Sequence, residues 1–405
     1  MKAIDFKDKK VLIRVDFNVP LDDQQKILDD TRIQAAIPTL KHIIDAGGRI
    51  ILMSHLGRPE KDKNDDGSIK RNKFSLVHVV ERLESLMGCP VHFVDDTRGR
   101  GVRFAVDALK SGEILVLENT RFYSEEKAGE QKFAQELSSY GNIYINDAFG
   151  AAHRAHASTA TVANYFTDEN KAFGFLIEDE LKHANKLLDD PQRPFVAILG
   201  GAKVSDKIQL IEKLFERVDS IIIGGGMAYT FIKAQGGQVG KSLVEEDKID
   251  MAKDLLKKAH AKNIDVILPS DSNCASEFKA DAKATICNSD EIPDNQMGLD
   301  IGPKAIAAAE EVLNKAKTIF WNGPMGVFEF DEFSKGTYAI AEQVAEATKR
   351  GGFSLIGGGD SVSAINKSGL SNKVSFISTG GGAMLTLLEG SEMPGLAAID
   401  KAYEK

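Results

Sequence analysis

The sequence contains few cysteines and lacks any long hydrophobic run. Its three cysteines, Cys89, Cys274 and Cys287, stand far apart and form no CxxC motif, so neither a disulfide framework nor a structural zinc site is predicted. Arg14 and Asp16 interrupt the first apolar stretch, and no later run approaches the roughly 20 apolar residues that span a membrane. We therefore expect a cytoplasmic protein in a reducing environment, without a membrane partner.

An excess of positive charge is also missing. The 405 residues have a formal net charge of −9, which argues against non-specific binding to nucleic acids or to membrane surfaces. Any basic site must then be a local cluster of arginine and lysine on an acidic background. The chain is long for a single core, and its length indicates two domains.

The common nucleotide-binding signatures are absent as well. Neither GxGxxG nor the catalytic motifs of protein kinases occur, which counts against a common dinucleotide enzyme or a protein kinase. Residues 235–242 nearly spell a P-loop, but Gln235 replaces the first glycine and the segment follows a predicted helix instead of a strand. We therefore reject this segment as a P-loop and expect a phosphate site of another kind.

Short β-rich runs alternate with amphipathic helical patterns along both halves of the chain. The strand candidates include KVLIRVDF, GRIILMSH and EILVLEN in the first half, and FVAILG, SIIIG and TIFWNG in the second. Such alternation predicts βαβ crossovers, and therefore an α/β fold of two doubly wound, Rossmann-like parallel-sheet domains. A helical pattern over residues 173–190, closed by Pro191 and Pro194, is predicted to connect them. The predicted domains are residues 1–172 and 191–390.

Four glycine clusters directly follow predicted strands in the second half. They are Gly200-Gly201, Gly224–Gly226, Gly357–Gly359 and Gly380–Gly382. Each cluster is predicted to open a helix, whose free N–H groups and positive dipole end attract phosphate. Lys203 and Lys207 follow the first cluster and Asp360 follows the third. Together these turns predict a surface for a polyphosphate and its metal ion, and hence a nucleotide site.

Polar and basic side chains lie at the predicted strand ends and first helix of the first half. The set is Asp16, Asn18, Arg32, His55, Arg58, Arg121 and Arg154. Ligands of parallel sheets bind at the carboxyl ends of the strands, and arginine pairs bidentately with carboxylate or phosphate. The set therefore predicts a pocket for a small acid that carries both groups. A metal site at His153 and His156 is disfavoured, because Arg154 lies between them and would repel a cation.

Nine motifs, in order along nearly the whole chain, resemble those of the phosphoglycerate kinase family. They are RVDFNVP (14–20), SHLGRP (54–59), LEN-x-RF (117–122), DAFG-x-AHRAHAS (147–158), LGGAKVSDKI (199–208), GGGMAYTF (224–231), WNGPMGVFE (321–329), GGGDS (357–361) and STGGGA (378–383). The resemblance implies an N-terminal domain that binds the three-carbon acid, a C-terminal domain that binds the nucleotide, and a hinge motion that brings them together. It also implies that a tail of residues 391–405 packs back on the N-terminal domain.

The resemblance further implies reversible phosphoryl transfer from 1,3-bisphosphoglycerate to ADP, giving 3-phosphoglycerate and ATP. The acid-binding roles fall on Asp16, Asn18, Arg32, His55, Arg58, Arg121 and Arg154. The roles in binding ATP or ADP fall on Lys203, Lys207, Gly224, Gly225, Asn322, Glu329, Gly357, Gly358, Gly359, Asp360 and Ser361, with Asp360 as the ligand of Mg²⁺. The catalytic roles fall on Arg32, Lys203, Gly358 and Gly381. Ser361 stands where the family commonly has threonine and keeps the hydroxyl group.

No pair of residues stands out as a general acid and base. The reaction needs none, because the reacting carboxylate and phosphate oxygens are already ionised at neutral pH. We therefore expect catalysis by positioning and by positive charge from Arg32, Lys203, Mg²⁺ and the glycine amides. Two other functions stay open at this point, a Rossmann-type oxidoreductase and a non-catalytic, two-lobed protein that binds a phosphometabolite. We expect a monomer whose partners are small molecules and not nucleic acids.

Overall fold

The chain folds into two compact units in a computed structural model that describes residues 1 and 4–403. The first unit comprises Met1–Leu181 together with the tail Ser391–Lys405, and the second comprises Lys182–Gly390. Among the described residues, no helix combines the length and the apolar character needed to cross a membrane.

The first unit is built on a six-stranded sheet. Its strands are β1 (Lys10–Val15), β2 (Arg49–Met53), β3 (Val91–Val94), β4 (Ile114–Leu117), β5 (Ile143–Asp147) and β6 (Lys171–Phe173). The helices are α1 (Thr31–Asp45), α2 (Val77–Met87), α3 (Arg100–Ala108), α4 (Ser124–Ala128), α5 (Gln131–Ser138) and the start of α6 (Phe175–Leu188). The strand order is β3-β4-β2-β1-β5-β6, and every pairing is parallel.

This sheet is buried on both faces, as its nearly continuous apolar strands require. Successive side chains of a strand point to opposite faces. In β1, Val11 and Ile13 accordingly join one hydrophobic core, whereas Leu12 joins the core on the other face. Strand β2 divides in the same way, with Ile50 in the first core and Ile51 in the second.

The second unit contains a sheet of the same kind and a smaller antiparallel one. Its strands are β7 (Phe195–Leu199), β8 (Ser220–Ile223), β9 (Gln238–Val239), β10 (Asp265–Ile267), β11 (Asp271–Ala275), β12 (Thr285–Asn288), β13 (Glu291–Ile292), β14 (Met297–Ile301), β15 (Thr318–Asn322), β16 (Phe353–Ile356) and β17 (Phe376–Ile377). The helices are α7 (Ile208–Leu214), α8 (Met227–Ala234), α9 (Ile249–Ala261), α10 (Pro303–Leu313), α11 (Lys335–Lys349), α12 (Gly359–Lys367) and α13 (Gly382–Leu388). The large sheet has the order β10-β8-β7-β15-β16-β17 and the small one β12-β11-β14.

The predicted α/β class with two parallel-sheet units is confirmed, and two details differ from expectation. The small sheet and the β13-β9 pair were not predicted from the sequence. The helix expected to begin at the first glycine cluster begins instead at Ile208, so that prediction was wrong. Hydrogen bonds from the backbone and side chain of Ser205 to the Glu245 carboxylate, 3.0 and 2.6 Å long, hold the intervening segment in a turn.

Buried carboxylates that are distant in sequence bind the amino-terminal N–H groups of several helices. Glu118, after β4, accepts a hydrogen bond from the N–H of Leu76 at the start of α2. Asp147, at the end of β5, accepts from Leu176 N in α6, and Asp300 in β14 accepts from Gly336 N in α11. The oxygens of a carboxyl group at this position satisfy free N–H groups of the helix. These contacts fix each helix to the end of a particular strand.

The tail of the chain lies against the first unit. In its helix α14 (Pro394–Ala397), Gly395 donates its N–H to Ala152 O at 2.8 Å and accepts a bond from Asn146 Nδ2 at 3.1 Å. A Cβ atom on Gly395 would lie 2.8 Å from the Thr159 methyl group, so the close approach requires glycine.

The division between the units falls inside α6, between Leu181 and Lys182. The ligand assigned to each predicted domain stays a prediction.

Asp147 generates a testable dependence of stability on pH. Burial raises the pKa of Asp147 to about 7. The folded protein therefore keeps the Asp147 proton up to about pH 7, whereas the unfolded chain, in which Asp147 has its ordinary pKa, releases it at about pH 4. Between about pH 4 and 7 the folded state therefore binds more protons, and the free energy of unfolding falls as the pH rises. We expect Asp147→Asn to remove this contribution, which amounts to at most about 1.4 kcal/mol per pH unit. Urea unfolding across this range measures the slope.

Asp300 provides the comparison, because burial raises its pKa to about 7 as well. We expect Asp300→Asn to remove a second contribution of the same sign, and the double variant to show the flattest profile. Unchanged slopes in both single variants would contradict the assignment of these protons.

Candidate functional site

Four guanidinium groups of the first unit gather around His55, and they are named here the arginine cluster: Arg14, Arg32, Arg121 and Arg154. Burial, followed by the charges of these four arginines, holds the pKa of His55 well below its ordinary value. The pKa of Arg121 is lowered to about 10 by burial and by the charges of Arg154 and Arg14. Mutual repulsion of this kind is relieved by a bound anion.

Arg14 forms the buried base of the cluster. It lies in β1 with no exposed surface, and its Nη2 donates to His55 Nδ1 at 2.9 Å. Because arginine has no acceptor, Nδ1 of His55 must accept this bond, which leaves the ring proton on Nε2. The Nε of Arg14 donates to Ser158 Oγ at 2.9 Å, and Ser158 in turn donates to the Glu126 carboxylate at 2.6 Å.

Asp16, Asn18 and Arg32 form one wall of the cluster. Arg32 Nη1 donates to Asn18 O at 2.9 Å and lies 3.3 Å from the Asp16 carboxylate. The amide oxygen of Asn18 accepts a bond from Gly57 N at 2.7 Å. This wall thus joins the loop after β1 to α1 and to the loop after β2.

Arg121 and Arg154 retain hydrogen-bonding capacity for a ligand. Arg121 Nη1 donates to Gly57 O at 2.8 Å, but its buried Nε has no partner among the described residues. Arg154 Nε donates to the His153 ring at 3.0 Å and is half-buried. Arg58 follows Gly57 in the chain and is exposed. Unused donors on converging guanidinium groups are suited to a carboxylate or phosphate.

The two histidines considered as metal ligands lie beside the cluster. Burial, together with the charges of Arg121, Arg14 and Arg154, lowers the pKa of His156 to about 3. His156 Nδ1 lies 3.9 Å from the Glu126 carboxylate, which the sequence places far away. Residues 1 and 4–403 contain no group of three or more His, Cys, Asp or Glu side chains arranged to hold a metal ion.

Arg14, Glu126 and Ser158 were not singled out from the sequence. A sequence signal for Arg14 was present, because a charged residue in a continuous apolar strand must be paired when it is buried. Glu126 is likewise fully buried and also accepts a bond from Ser158 N at 2.9 Å. Its pairing depends on tertiary contacts, for which the sequence offers no comparable signal.

In the second unit, the glycine turns after β7, β8 and β15 pack backbone against backbone. Gly201 N donates to Pro324 O at 3.1 Å and Gly225 N to Met325 O at 2.9 Å, while Gly224 N donates to Leu199 O. Gly225 has φ +67°, and a Cβ atom there would lie 2.6 Å from the backbone of Gly201. Side chains at these turns would therefore force the strand ends apart.

A polar chain links the predicted phosphate residues at these strand ends. Lys207 Nζ donates to Asn322 Oδ1, and Asn322 Nδ2 donates to Gly357 O at 2.7 Å. Ser361 Oγ accepts a bond from Gly323 N at 2.5 Å. Burial lowers the pKa of Lys207, and the charges of Asp206 and Asp360 oppose the shift. The structure thus brings together Lys207, Asn322, Gly357, Ser361 and Asp360, whereas Lys203 is exposed in the turn before α7.

The predicted turns at α12 and α13 have open space beside their backbones. A Cβ atom added to Gly359, Gly381 or Gly382 would meet nothing within 4 Å. Gly358 precedes α12 with φ +92°, and the first N–H groups of a helix have no partner within it. The backbone here is accessible to a phosphate, and the exposed Asp360 carboxylate stands in the first turn of α12.

Next to these turns lies a cavity of about 510 Å³, named here the glycine-lined cavity. The lining residues that lie in the predicted motifs are Gly201, Ala202, Gly225, Gly226, Pro324, Gly326, Val327, Glu329 and Asp360. The other lining residues are Lys241, Leu243, Phe278, Met297, Gly298 and Leu299. Apolar walls with a few polar groups are typical of a site for a small organic ligand.

Much of the cavity wall was not predicted from the sequence. Phe278 and the residues of β14 carry no recognisable motif and reach the cavity only through the small antiparallel sheet. Lys241 comes from the segment rejected as a P-loop. That segment follows α8 and includes β9, so it lacks the strand-loop-helix geometry of a P-loop, yet its lysine lines the cavity.

Comparisons with known proteins agree with this geometry. A sequence profile described as phosphoglycerate kinase matches residues 1–391. A phosphoglycerate kinase of Porphyromonas gingivalis is 49% identical over 422 residues, which cover 98% of this chain and 99% of the relative. A protein of Nicotiana tabacum named "Phosphoglycerate kinase, cytosolic" is 50% identical over 402 residues, covering 99% of this chain and 97% of the relative.

Solved structures show the same similarity. The phosphoglycerate kinase of Coxiella burnetii superposes with a TM-score of 0.87 and is 38% identical, and the match covers 100% of this chain and 99% of that one. The phosphoglycerate kinase of Pyrococcus horikoshii superposes with a TM-score of 0.83 at 30% identity and with the same coverage. The chain belongs to the phosphoglycerate kinase family.

Proposed function

We propose that the arginine cluster binds 3-phosphoglycerate and that the glycine-lined cavity and its neighbouring turns bind ATP or ADP. As a family member, the enzyme transfers a phosphoryl group reversibly between 1,3-bisphosphoglycerate and ADP. The oxidoreductase and the non-catalytic binding protein are therefore set aside. The observation that carries the assignment of ligands is the crowding of four guanidinium groups around His55, where burial and then the arginine charges lower the pKa of His55 and of Arg121.

The charges of the acid match those of the arginine cluster. 3-Phosphoglycerate carries a carboxylate and a phosphate, and each group pairs well with a guanidinium fork. The unused donors of Arg121 and Arg154 serve these groups, together with the ring N–H at Nε2 of His55. Arg32, held by Asn18 O and Asp16, supplies positive charge near the reacting carboxylate. Arg58 adds an exposed guanidinium group next to Gly57.

The base and ribose of the nucleotide occupy the cavity, and its phosphates lie at the turns beside it. The apolar walls formed by Leu243, Phe278 and Val327 suit a purine base, and Glu329 suits the ribose hydroxyl groups. Lys203 and Lys207 provide charge for the phosphates, and Asn322 and Ser361 add polar contacts beside Lys207. The N–H groups of Gly358 and Gly359 serve as donors at the start of α12.

Mg²⁺ fits this site through Asp360. Magnesium in phosphoryl-transfer sites is held by one or two carboxylates, by substrate phosphates and by water. Asp360 is exposed in the first turn of α12, lines the glycine-lined cavity and acts electrostatically on Lys207. It can therefore supply the carboxylate, with the phosphates completing the coordination. When bound, the ion neutralises charge on the phosphate oxygens.

The chemical step requires no proton transfer by the protein. In the direction of ATP use, a carboxylate oxygen of 3-phosphoglycerate forms a bond to the γ-phosphorus while the bond from that phosphorus to the ADP oxygen breaks. Arg32, Lys203 and the amides of Gly358 and Gly381 stabilise the charge that develops on the transferred group. His55 stays neutral and acts as a hydrogen-bond donor.

Transfer also demands direct contact between acid and nucleotide. Since their proposed sites belong to different units, we infer a hinge motion that completes the reaction site when both ligands are bound and that excludes water from the acyl phosphate. We further propose a cytoplasmic monomer, and the name of the Nicotiana tabacum relative, which is 50% identical and called cytosolic, supports the location. Sedimentation velocity measures the oligomeric state.

Arg154→Ala tests the assignment of the acid. We expect affinity for 3-phosphoglycerate to fall by about 1.5–3 kcal/mol, the range for hydrogen bonds to charged groups, while affinity for ADP stays unchanged. Calorimetry with each ligand measures both. Arg103→Ala is the matched control, because Arg103 is an exposed arginine of the same unit that lies 3.8 Å from Glu136. Selective loss of ADP binding in Arg154→Ala would reverse the assignment.

Lys203→Ala tests the catalytic role of an exposed lysine. A charge that acts on the developing transition state affects turnover more than binding, so we expect kcat to fall roughly 10²–10³-fold with a smaller change in the dissociation constant of ATP. Lys213→Ala is the control, since Lys213 is a lysine of α7 whose side chain is 44% exposed and pairs with Glu216. If the affinity for ATP fell by this factor while kcat stayed unchanged, Lys203 would be a binding residue only.

Asp360→Asn tests the magnesium ligand. We expect affinity for MgADP to fall roughly tenfold or more, because a carboxylate bound to a cation is lost, while affinity for metal-free ADP stays the same or rises. Titration calorimetry with Mg²⁺ or with EDTA separates the two. Asp206→Asn is the control, as Asp206 also acts electrostatically on Lys207. Identical losses in both variants would show a general charge effect.

A further inference from the structure

Two of the three cysteines meet in the small antiparallel sheet of the second unit. In the pairing of β11 with β12, Cys274 stands opposite Thr285 and Cys287 opposite Ser272. The cysteines are therefore diagonal neighbours on the same face of the sheet. Their side chains lie close enough to interact electrostatically, and both pack in one hydrophobic cluster with Tyr229. The Cys274 thiol donates to Ser272 O at 3.7 Å. Thirteen positions separate them in sequence, so only the fold creates this dithiol.

The two thiols differ in access to solvent. Cys274 is fully buried, and burial raises the pKa of its thiol. Cys287 is half-buried, and its thiol donates to Gln296 Oε1 at 3.3 Å. A reagent from solution therefore meets Cys287 first, and Cys274 is placed to react with the modified sulfur.

Strand β12 can accommodate the approach that a disulfide requires. Diagonal neighbours stand about 7–8 Å apart, beyond the roughly 4.4–6.8 Å between the Cα atoms of a disulfide, so the backbone must move before the two sulfurs can form a bond of about 2.0 Å. β12 lies at the edge of its sheet, and Thr285, Ile286 and Asn288 are exposed. An edge strand that packs little of its surface moves with little loss of contacts.

The dithiol is connected to the wall of the glycine-lined cavity. On the side of β11 away from β12, Cys274 pairs with Gly298 of β14, next to an irregularity between Asn273 and Cys274. Gly298 lines the cavity, and its backbone lies so close to the Tyr229 hydroxyl that a Cβ atom would be 1.9 Å from it. Tyr229 is itself bonded to Ser272 at 3.0 Å. The part of the backbone movement that displaces Cys274 in β11 is therefore transmitted through Gly298 to the cavity wall.

We propose that Cys274 and Cys287 form a peroxide-oxidisable dithiol whose disulfide weakens nucleotide binding. Hydrogen peroxide supplies the oxidising equivalents. The Cys287 thiolate attacks one peroxide oxygen, the O–O bond breaks, and the leaving hydroxide takes up a proton to form water. Cys274 then attacks the sulfur of the resulting sulfenic acid, the S–O bond breaks, and a second water leaves. The two thiols lose two electrons, which reduce one peroxide to two waters.

Peptide mapping without reduction tests the bond itself. Trypsin cleavage after Lys262, Lys279, Lys283 and Lys304 places Cys274 in peptide 263–279 and Cys287 in peptide 284–304. After peroxide treatment of the full-length protein, we expect these peptides to be recovered linked and to separate with dithiothreitol. Free thiols should fall from three to one in the wild type and from two to none in Cys89→Ser. Cys287 oxidised to sulfinic acid without a link, or links through Cys89 only, would overturn the dithiol.

Calorimetry with ADP tests the coupling to the cavity, which rests on the proposed function. We expect oxidation to raise the dissociation constant of ADP roughly two- to tenfold, the effect of weakening one or two contacts, and dithiothreitol to reverse it. The dissociation constant of 3-phosphoglycerate should not change. Cys287→Ser should bind ADP like the reduced wild type and resist peroxide. A linked protein with unchanged ADP affinity would overturn the coupling, whereas failure of the reduced protein to bind ADP would overturn the proposed function.

Discussion

The buried guanidinium of Arg14 is the constraint on which the first unit depends. A charge with no exposed surface must be paired, and Arg14 is paired with His55, with Ser158 and, through Ser158, with Glu126. His55 and Ser158 come from the loops after β2 and β5, and Glu126 comes from α4, which follows β4. Satisfying Arg14 therefore positions the loops, and it leaves the remaining arginines crowded together. The excess positive charge costs stability in the absence of a ligand, and an acid that carries both a carboxylate and a phosphate is the natural group to offset it.

In the second unit, close packing of the backbone, and not a buried charge, brings the candidate site residues together. Its glycine turns allow three strand ends to touch, which brings Lys207, Asn322 and Ser361 into one polar chain. In both units the helices are held at their amino termini by buried carboxylates from distant strands, such as Asp147 and Asp300. The candidate sites are thus formed by rigid strand ends and anchored helices. Phosphoryl transfer that relies on positioning requires side chains held with this precision. The small sheet adds a wall to the cavity and, with it, a dithiol exposed to the redox state of the solution.

The sequence by itself determined the class of the fold and indicated most of the candidate ligand-binding residues. Apolar runs of strand length that alternate with helical patterns specify a parallel sheet, because local periodicity records burial on both faces. Glycine clusters and arginines at strand ends predict ligand contacts, because the carboxyl ends of parallel strands meet at one edge. These signals are local in the chain, and Asp16, Arg121 and Asp360 were selected in this way, whereas Asn322 was selected only from the resemblance to the family.

Only the tertiary structure decided how distant residues meet. Glu126 beneath Ser158, Phe278 and β14 in the cavity wall, and the contact between Cys274 and Cys287 all depend on pairings across loops, which leave no periodic trace in the sequence. The start of α7 at Ile208 was set in the same way, since Glu245 binds Ser205 and holds the preceding residues out of the helix. In each case a long-range hydrogen bond or packing contact outweighed local propensity, which contributes only tenths of a kcal/mol per residue, up to about 1.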